Sequence, residues 1–213
     1  SQKDIFDIQH FSIGDGLPDH QTLHIEQDKD GYIWGNSIGK LFRYDGYQFK
    51  IYGQQELGVL GNGFVNFVID DENLVWYFDF DYLPLSINIL DASDNTITPI
   101  DDFFKKKLPF PSKEITRVYR DKWLGFVILT KNSGFYSYQD GKFKLLYQHD
   151  APIEYSRIRG TENGEMWFCH QDTIFQVPVE GERNFTIGKD FILDVLPISS
   201  SLYVWYGHFL DND

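Results

Sequence analysis

Asp28-Lys29-Asp30-Gly31-Tyr32-Ile33-Trp34 decides the fold: a polar turn, then a short apolar run that ends on tryptophan. The phrase returns four times. Asp71-Glu72-Asn73-Leu74-Val75-Trp76 repeats it, and Asp121-Lys122-Trp123-Leu124-Gly125-Phe126-Val127 repeats it with valine at the tryptophan position. Thr161-Glu162-Asn163-Gly164-Glu165-Met166-Trp167 and Ser199-Ser200-Ser201-Leu202-Tyr203-Val204-Trp205 follow. The anchors lie 42 residues apart (34 to 76), then 51 (to 127), 40 (to 167) and 38 (to 205). Four-stranded propeller blades run about 40–50 residues. A helical solenoid shares that period, but each unit here alternates apolar and polar residues at period two, which is the pattern of strands.

Each unit resolves further on either side of its turn. Ahead of it lies an apolar strand: Thr22–Glu26, Phe64–Ile69, Ile115–Tyr119, Tyr155–Ile158 and Ile192–Leu196. Behind the anchor come two strands joined by a turn, Leu41–Tyr44 and Tyr47–Tyr52 around Asp45-Gly46, and Gly134–Tyr138 and Lys142–Tyr147 around Asp140-Gly141. Asp-Gly between alternating runs predicts a hairpin with a type I′ turn, because that turn needs positive φ at both central residues. The second unit has Asp91-Ala92-Ser93-Asp94-Asn95 instead. The expected fold class is therefore all-β: a β-propeller of four-stranded antiparallel blades, about four complete and a partial fifth, as part of a larger propeller. The expected blades span roughly residues 10–53, 57–101, 108–150, 151–189 and 190–213, the last incomplete, with residues 1–9 as a candidate closing strand. Aromatic residues make up 17% of the 213, which suits pleated, half-buried surfaces.

Charge and composition narrow the function classes. The net charge of −13 repels a phosphate backbone, so no nucleic-acid partner is expected, and anionic lipid is disfavoured for the same reason. The single cysteine, Cys169, forms no intrachain disulfide and suits either a reducing or an oxidising compartment. No apolar run is long enough to span a bilayer, and the start carries no signal-peptide pattern. No metal or other cofactor is expected: His20 and His24 lie too far apart on a strand to share an ion, and Asp28-Lys29-Asp30-Gly31 lacks the downstream glutamate of a calcium loop. Neither a glycine-rich phosphate loop nor a serine nucleophile elbow is present.

The first unit carries more than repeat grammar. His10-Phe11-Ser12-Ile13-Gly14-Asp15-Gly16-Leu17-Pro18, then Asp28-Lys29-Asp30-Gly31-Tyr32-Ile33-Trp34-Gly35, then Gly39-Lys40-Leu41-Phe42-Arg43-Tyr44-Asp45-Gly46 resembles the two-component regulator propeller repeat. The resemblance covers about residues 10–52 and thins to turn and tryptophan in the later units. Gly35-Asn36-Ser37 follows Trp34 directly where that family has one more residue, and the second unit lacks the Arg-Tyr-Asp-Gly turn. The resemblance implies the periplasmic sensor region of a Bacteroides-type hybrid sensor histidine kinase, an ectodomain of an inner-membrane protein. It implies as partners the rest of the propeller, a β-sandwich and a kinase in the same chain, an oligosaccharide ligand and a homodimer.

In a propeller the loops joining strands two and three gather on one face, where planar polar and aromatic side chains suit a sugar. The candidate ligand residues on those loops are Asn36, Asp79, Asp81, Tyr82, Asn132, His170, Gln171 and His208. The tryptophan series is assigned to packing between units rather than to sugar stacking, because its members occupy one repeated inner position. Asp79 and Asp81, with Asp15 and Asp19 on the neighbouring unit, are the paired carboxylates of an alternative reading as a carbohydrate-active enzyme. A protein-interaction scaffold without a small ligand is the other alternative. No catalytic residue is expected in the leading reading. Lys105-Lys106-Lys107, the only basic run, reads as a solvated loop.

Overall fold

A computed structural model describes residues 8–58, 63, 65–79, 86–105, 107–148, 158–170, 173–177, 183–186, 191–199 and 202–208. The chain divides into two compact units, residues 1–82 with 86–99, and residues 100–213 with 83–85.

The first unit holds two sheets of four antiparallel strands, each in chain order. Strands β1 (Ile25–Gln27), β2 (Ile33–Ser37), β3 (Lys40–Tyr44) and β4 (Phe49–Tyr52) form one, and β5 (Val65–Ile69), β6 (Leu74–Asp79), β7 (Ile87–Asp91) and β8 (Thr96–Pro99) the other. A single helical turn, α1 (Gln54–Leu57), follows β4. Pairing sets the faces: Ile25 opposes Gly35, Gly35 opposes Phe42 and Phe42 opposes Ile51, so these share one face of the first sheet. Trp34, Leu41 and Tyr52 take the other face and pack with Leu57, Val65, Phe67, Ile69, Val75, Tyr77 and Leu90 in one buried cluster. Trp34 and Tyr52 stack within it at 5.6 Å and 16°.

The second unit begins with the helical turn α2 (Ile100–Phe103). Strands β9 (Ile115–Asp121), β10 (Gly125–Thr130), β11 (Phe135–Gln139) and β12 (Lys142–Tyr147) form a third four-stranded sheet. A fourth contains β13 (Arg159–Gly160), β14 (Met166–His170), β15 (Thr173–Val177) and β16 (Arg183–Thr186). Strands β17 (Phe191–Ser199) and β18 (Leu202–His208) pair alone, with β17 against β14. Val127, Leu129 and Phe135 of the third sheet pack on Ile158 and Phe168.

Two details differ from the sequence reading, each for a local reason. The first strand is shorter than Thr22–Glu26, because the N–H groups of Leu23 and His24 donate to the Asn36 side-chain oxygen (3.2 and 2.8 Å) rather than to a strand ladder. The Asp45-Gly46 turn is not type I′: Asp45 N–H donates to Gln48 C=O at 3.3 Å, and Gly46 alone of the two expected residues has positive φ (95°). Asp140 and Gly141, at φ 50° and 70°, have the two positive angles of type I′. The closing strand expected at residues 1–9 falls mostly outside the described residues.

The motif phenylalanine has a packing role that recurs. Phe11 meets Tyr44 and Phe49 edge-on at 5.0 and 5.5 Å, closing over the outer hairpin of the first sheet. Phe104 meets Tyr138 and Phe143 in the same way at 5.5 and 5.0 Å in the third.

Candidate functional site

The first three turns are built around a carboxylate six residues before the anchor, and Thr161 takes that place in the fourth, its hydroxyl accepting from Glu165 N–H at 3.2 Å. Asp28 accepts from the N–H groups of Asp30 (3.0 Å) and Tyr32 (2.9 Å) with one oxygen and from the Trp34 indole N–H (2.9 Å) with the other. Asp70 does the same for Glu72 (2.9 Å), Leu74 (2.9 Å) and the Trp76 indole (2.8 Å). One side chain thus folds the turn and satisfies the polar atom of the core tryptophan, which would otherwise be buried at a cost. Trp34, Trp76 and Trp167 are all at most 1% exposed. These three tryptophans are framework, as the repeat position implied, while the side chain of Trp205 lies outside what the structure describes.

The third sheet solves the same problem differently. With valine at 127 there is no indole for Asp121 to bind, and its Oδ1 accepts instead from Trp123 (2.9 Å), Leu124 (3.0 Å) and Gly160 (3.2 Å) of the next sheet. Leu124 packs into the cluster around Val127, while Trp123 turns outward, 46% exposed, with Lys122 4.4 Å over its ring. A Cβ on Gly160 would stand 2.7 Å from Leu124 and 2.8 Å from Trp123, so this close approach requires glycine.

The residues expected to face a ligand are placed unequally. Asn36 is 1% exposed, and its amide is committed: its oxygen accepts from Leu23 and His24, and its nitrogen donates to Val65 C=O at 3.0 Å. It ties the segment just before β1 to β2 and β5 and belongs to the framework. Asn132 is exposed on a pinned loop. Thr130 Oγ1 donates to Gly134 C=O at 2.7 Å and accepts from Ser133 N–H at 3.1 Å, while Ser133 Oγ donates to Glu114 at 2.6 Å. His170 is half-buried at the end of β14, where it pairs with Thr173 across a two-residue connection. Asp79 closes β6 opposite Val65, and His208 ends β18 opposite Phe191. Asp81, Tyr82 and Gln171 lie outside the described residues, so the carboxylate pair Asp79 and Asp81 has no described separation. Among the described residues no group of three metal-ligating side chains converges.

Hydrogen bonding and burial set the electrostatics. Hydrogen bonds from the Ser12 side chain, from Gln48 N–H and from the Thr96 side chain hold Asp15, Asp45 and Asp94 below the ordinary carboxylate range. Burial pushes the phenols of Tyr77, Tyr52 and Tyr136 up. Sequence reasoning had not assigned the carboxylate role of Asp28, Asp70 and Asp121; the constant six-residue count to the anchor is the signal that carries it.

No helix among the described residues is long and apolar enough to cross a membrane. No family model and no curated relative matches the chain. Among solved structures, the chain is similar to a catalytically inactive virginiamycin B lyase of Staphylococcus aureus with quinupristin, at 15% identity and a TM-score of 0.49, covering 81% of this chain and 58% of that one. It is also similar to the extracellular domain of a proposed one component system of B. thetaiotaomicron (14% identity, TM-score 0.41, 90% of this chain and 34% of that one). A third similarity is to an extracellular domain of a proposed hybrid two component system of that organism (12% identity, TM-score 0.44, 90% and 35%). The chain spans about a third of the length of these two extracellular domains.

Proposed function

We propose that the chain is the ligand-sensing part of a periplasmic sensor of the two-component type, its sheets being successive blades of a β-propeller, and that it carries no catalysis of its own. The observation that carries this reading is the resemblance of residues 10–52 to the sensor repeat, together with the work the structure gives those residues. Phe11, Asp28, Trp34 and Tyr44 all fold or pack the unit, so the motif specifies a scaffold and leaves the connecting loops to vary. On the face of the first sheet turned away from the second, Ile25 and Ile51 are exposed beside the buried Phe42, a surface that a neighbouring blade covers in a ring. On this reading Asn132 and His170 belong to the ligand-facing loops and the ligand is an oligosaccharide. Binding acts by differing in affinity between two arrangements of a dimeric receptor.

A thermal-shift screen against an oligosaccharide panel tests it. A ligand at about 100 times its Kd adds about 2.7 kcal/mol, a shift of a few degrees. A shift with one sugar family, reduced by Asn132→Ala, supports the sensor. No shift with any member, in this chain or a longer ectodomain, favours the scaffold reading, and sugar cleavage lost in Asp79→Asn favours the enzyme.

A further inference from the structure

Charge is distributed unevenly along this acidic chain. Residues 100–150 hold ten lysines and arginines against six aspartates and glutamates, whereas residues 1–99 hold five against sixteen. Part of that basic excess meets at one corner of the third sheet. The contacts of Phe104 with Tyr138 and Phe143 hold Lys105 and Lys107 beside the β11–β12 hairpin, where Lys142 starts the outermost strand. All three lysines are exposed, and among the described residues none has a carboxylate within 4.0 Å. The lysines of the first sheet are used differently. Lys29 bonds to Asp71, Lys40 donates to Pro18 C=O and Lys50 donates to Asn95. A lysine on an edge strand also deters strand pairing, which accounts for Lys142 but not for Lys105 or Lys107, which lie on no strand.

We propose that the corner formed by Lys105, Lys107 and Lys142 docks on the acidic hairpins of residues 1–99 in a second copy of the chain. The complementary surface is on the same molecule: the β3–β4 and β7–β8 hairpins expose Asp45 and Asp94 at their tips. Two copies at −13 repel as wholes, but at physiological salt the screening length is about 8 Å, so facing patches decide the contact. The contact joins unlike surfaces, a head-to-tail geometry. It is independent of whether a sugar binds.

Sedimentation velocity over a concentration series, in about 50 mM and about 500 mM salt, tests it. The expected result is association at low salt that weakens at least about tenfold at high salt, as screening of a charged contact demands. K142E and the double variant K105E/K107E each abolish it without moving the melting temperature, and mixing K142E with D45K restores it. A monomer at every concentration in low salt overturns the proposal. So does association that survives both salt and the lysine variants, which assigns it to unpaired strand edges or the bare sheet face. A monomer that is nevertheless retained on a heparin matrix through the same lysines overturns it in favour of a polyanionic ligand.

Discussion

Asp70→Ala removes one acceptor from three donors, two of which have no route to water. Asp70 is 2% exposed, and the Leu74 N–H and the Trp76 indole N–H that it satisfies are buried. Each buried donor left without a partner costs about 1–3 kcal/mol, so the substitution is expected to destabilise by about 3–5 kcal/mol. Asp28 makes the same three bonds in a turn that is only part-buried, where water replaces some of what is lost; Asp28→Ala is expected to cost about 1–2 kcal/mol. Asp70→Asn separates the two functions of the carboxylate. Its amide oxygen retains Glu72 and Leu74, while its NH2 group faces the Trp76 indole, donor against donor. Urea unfolding followed by circular dichroism reads all three as midpoint shifts at constant m. The decisive comparison is Asp70→Asn in wild type and in Trp76→Phe, where no indole N–H remains. The asparagine is expected to cost at least about 1 kcal/mol less in the second background. Equal costs in both backgrounds would refute the assignment of the second carboxylate oxygen to the indole.

Gly160→Ala is expected to cost about 1–3 kcal/mol by forcing a Cβ against Leu124 and Trp123, and Leu124→Ala in the same chain should recover part of the loss; a neutral Gly160→Ala would contradict the close approach. Trp123, nearly half exposed, should supply emission that acrylamide quenches readily, so Trp123→Phe lowers the quenchable fraction, whereas Trp34, Trp76 and Trp167 stay shielded. Tyr77 donates to Leu57 C=O at 2.7 Å and burial raises its pKa above the ordinary 10.0. The folded state holds that proton more tightly than the unfolded chain, so stability is full below pH 10 and falls above it; melting temperatures across the alkaline range should fall less steeply in Tyr77→Phe. The lowered carboxylates of Asp15, Asp45 and Asp94 act in the opposite direction, their contribution present above the ordinary 3.8 and lost as pH falls through their folded values. Because all three are fully exposed, replacing them with asparagine should barely alter the acid limb of the melting curve.

The repeat was legible because one residue type in one environment is a strong signal. An anchor recurring every 38 to 51 residues, each after a polar turn, marks inner strands, and four-stranded sheets in chain order follow from the alternation around it. Finer features depended on contacts between elements. The second phrase begins at Asp70 rather than Asp71; three consecutive acidic residues hide the choice, and only the bond to Trp76 settles it. Asn36 looked like a loop residue offered to a ligand, but its amide replaces strand ladder bonds at Leu23 and His24, which no local pattern reveals. Valine at 127 was visible as an exception. That Leu124 fills the space and Gly160 makes room for it depends on two sheets meeting.

That last arrangement bears on how such chains can be recombined. In the first two sheets the tryptophan and its carboxylate come from one continuous stretch, Asp28 to Trp34 and Asp70 to Trp76. The equivalent device of the third sheet is distributed across a boundary, with Asp121, Leu124 and Val127 on one side and Gly160 on the other. A graft cut at the sheet boundary would separate a lock from its keyhole, so the smallest portable segment here runs through the first strand of the following sheet.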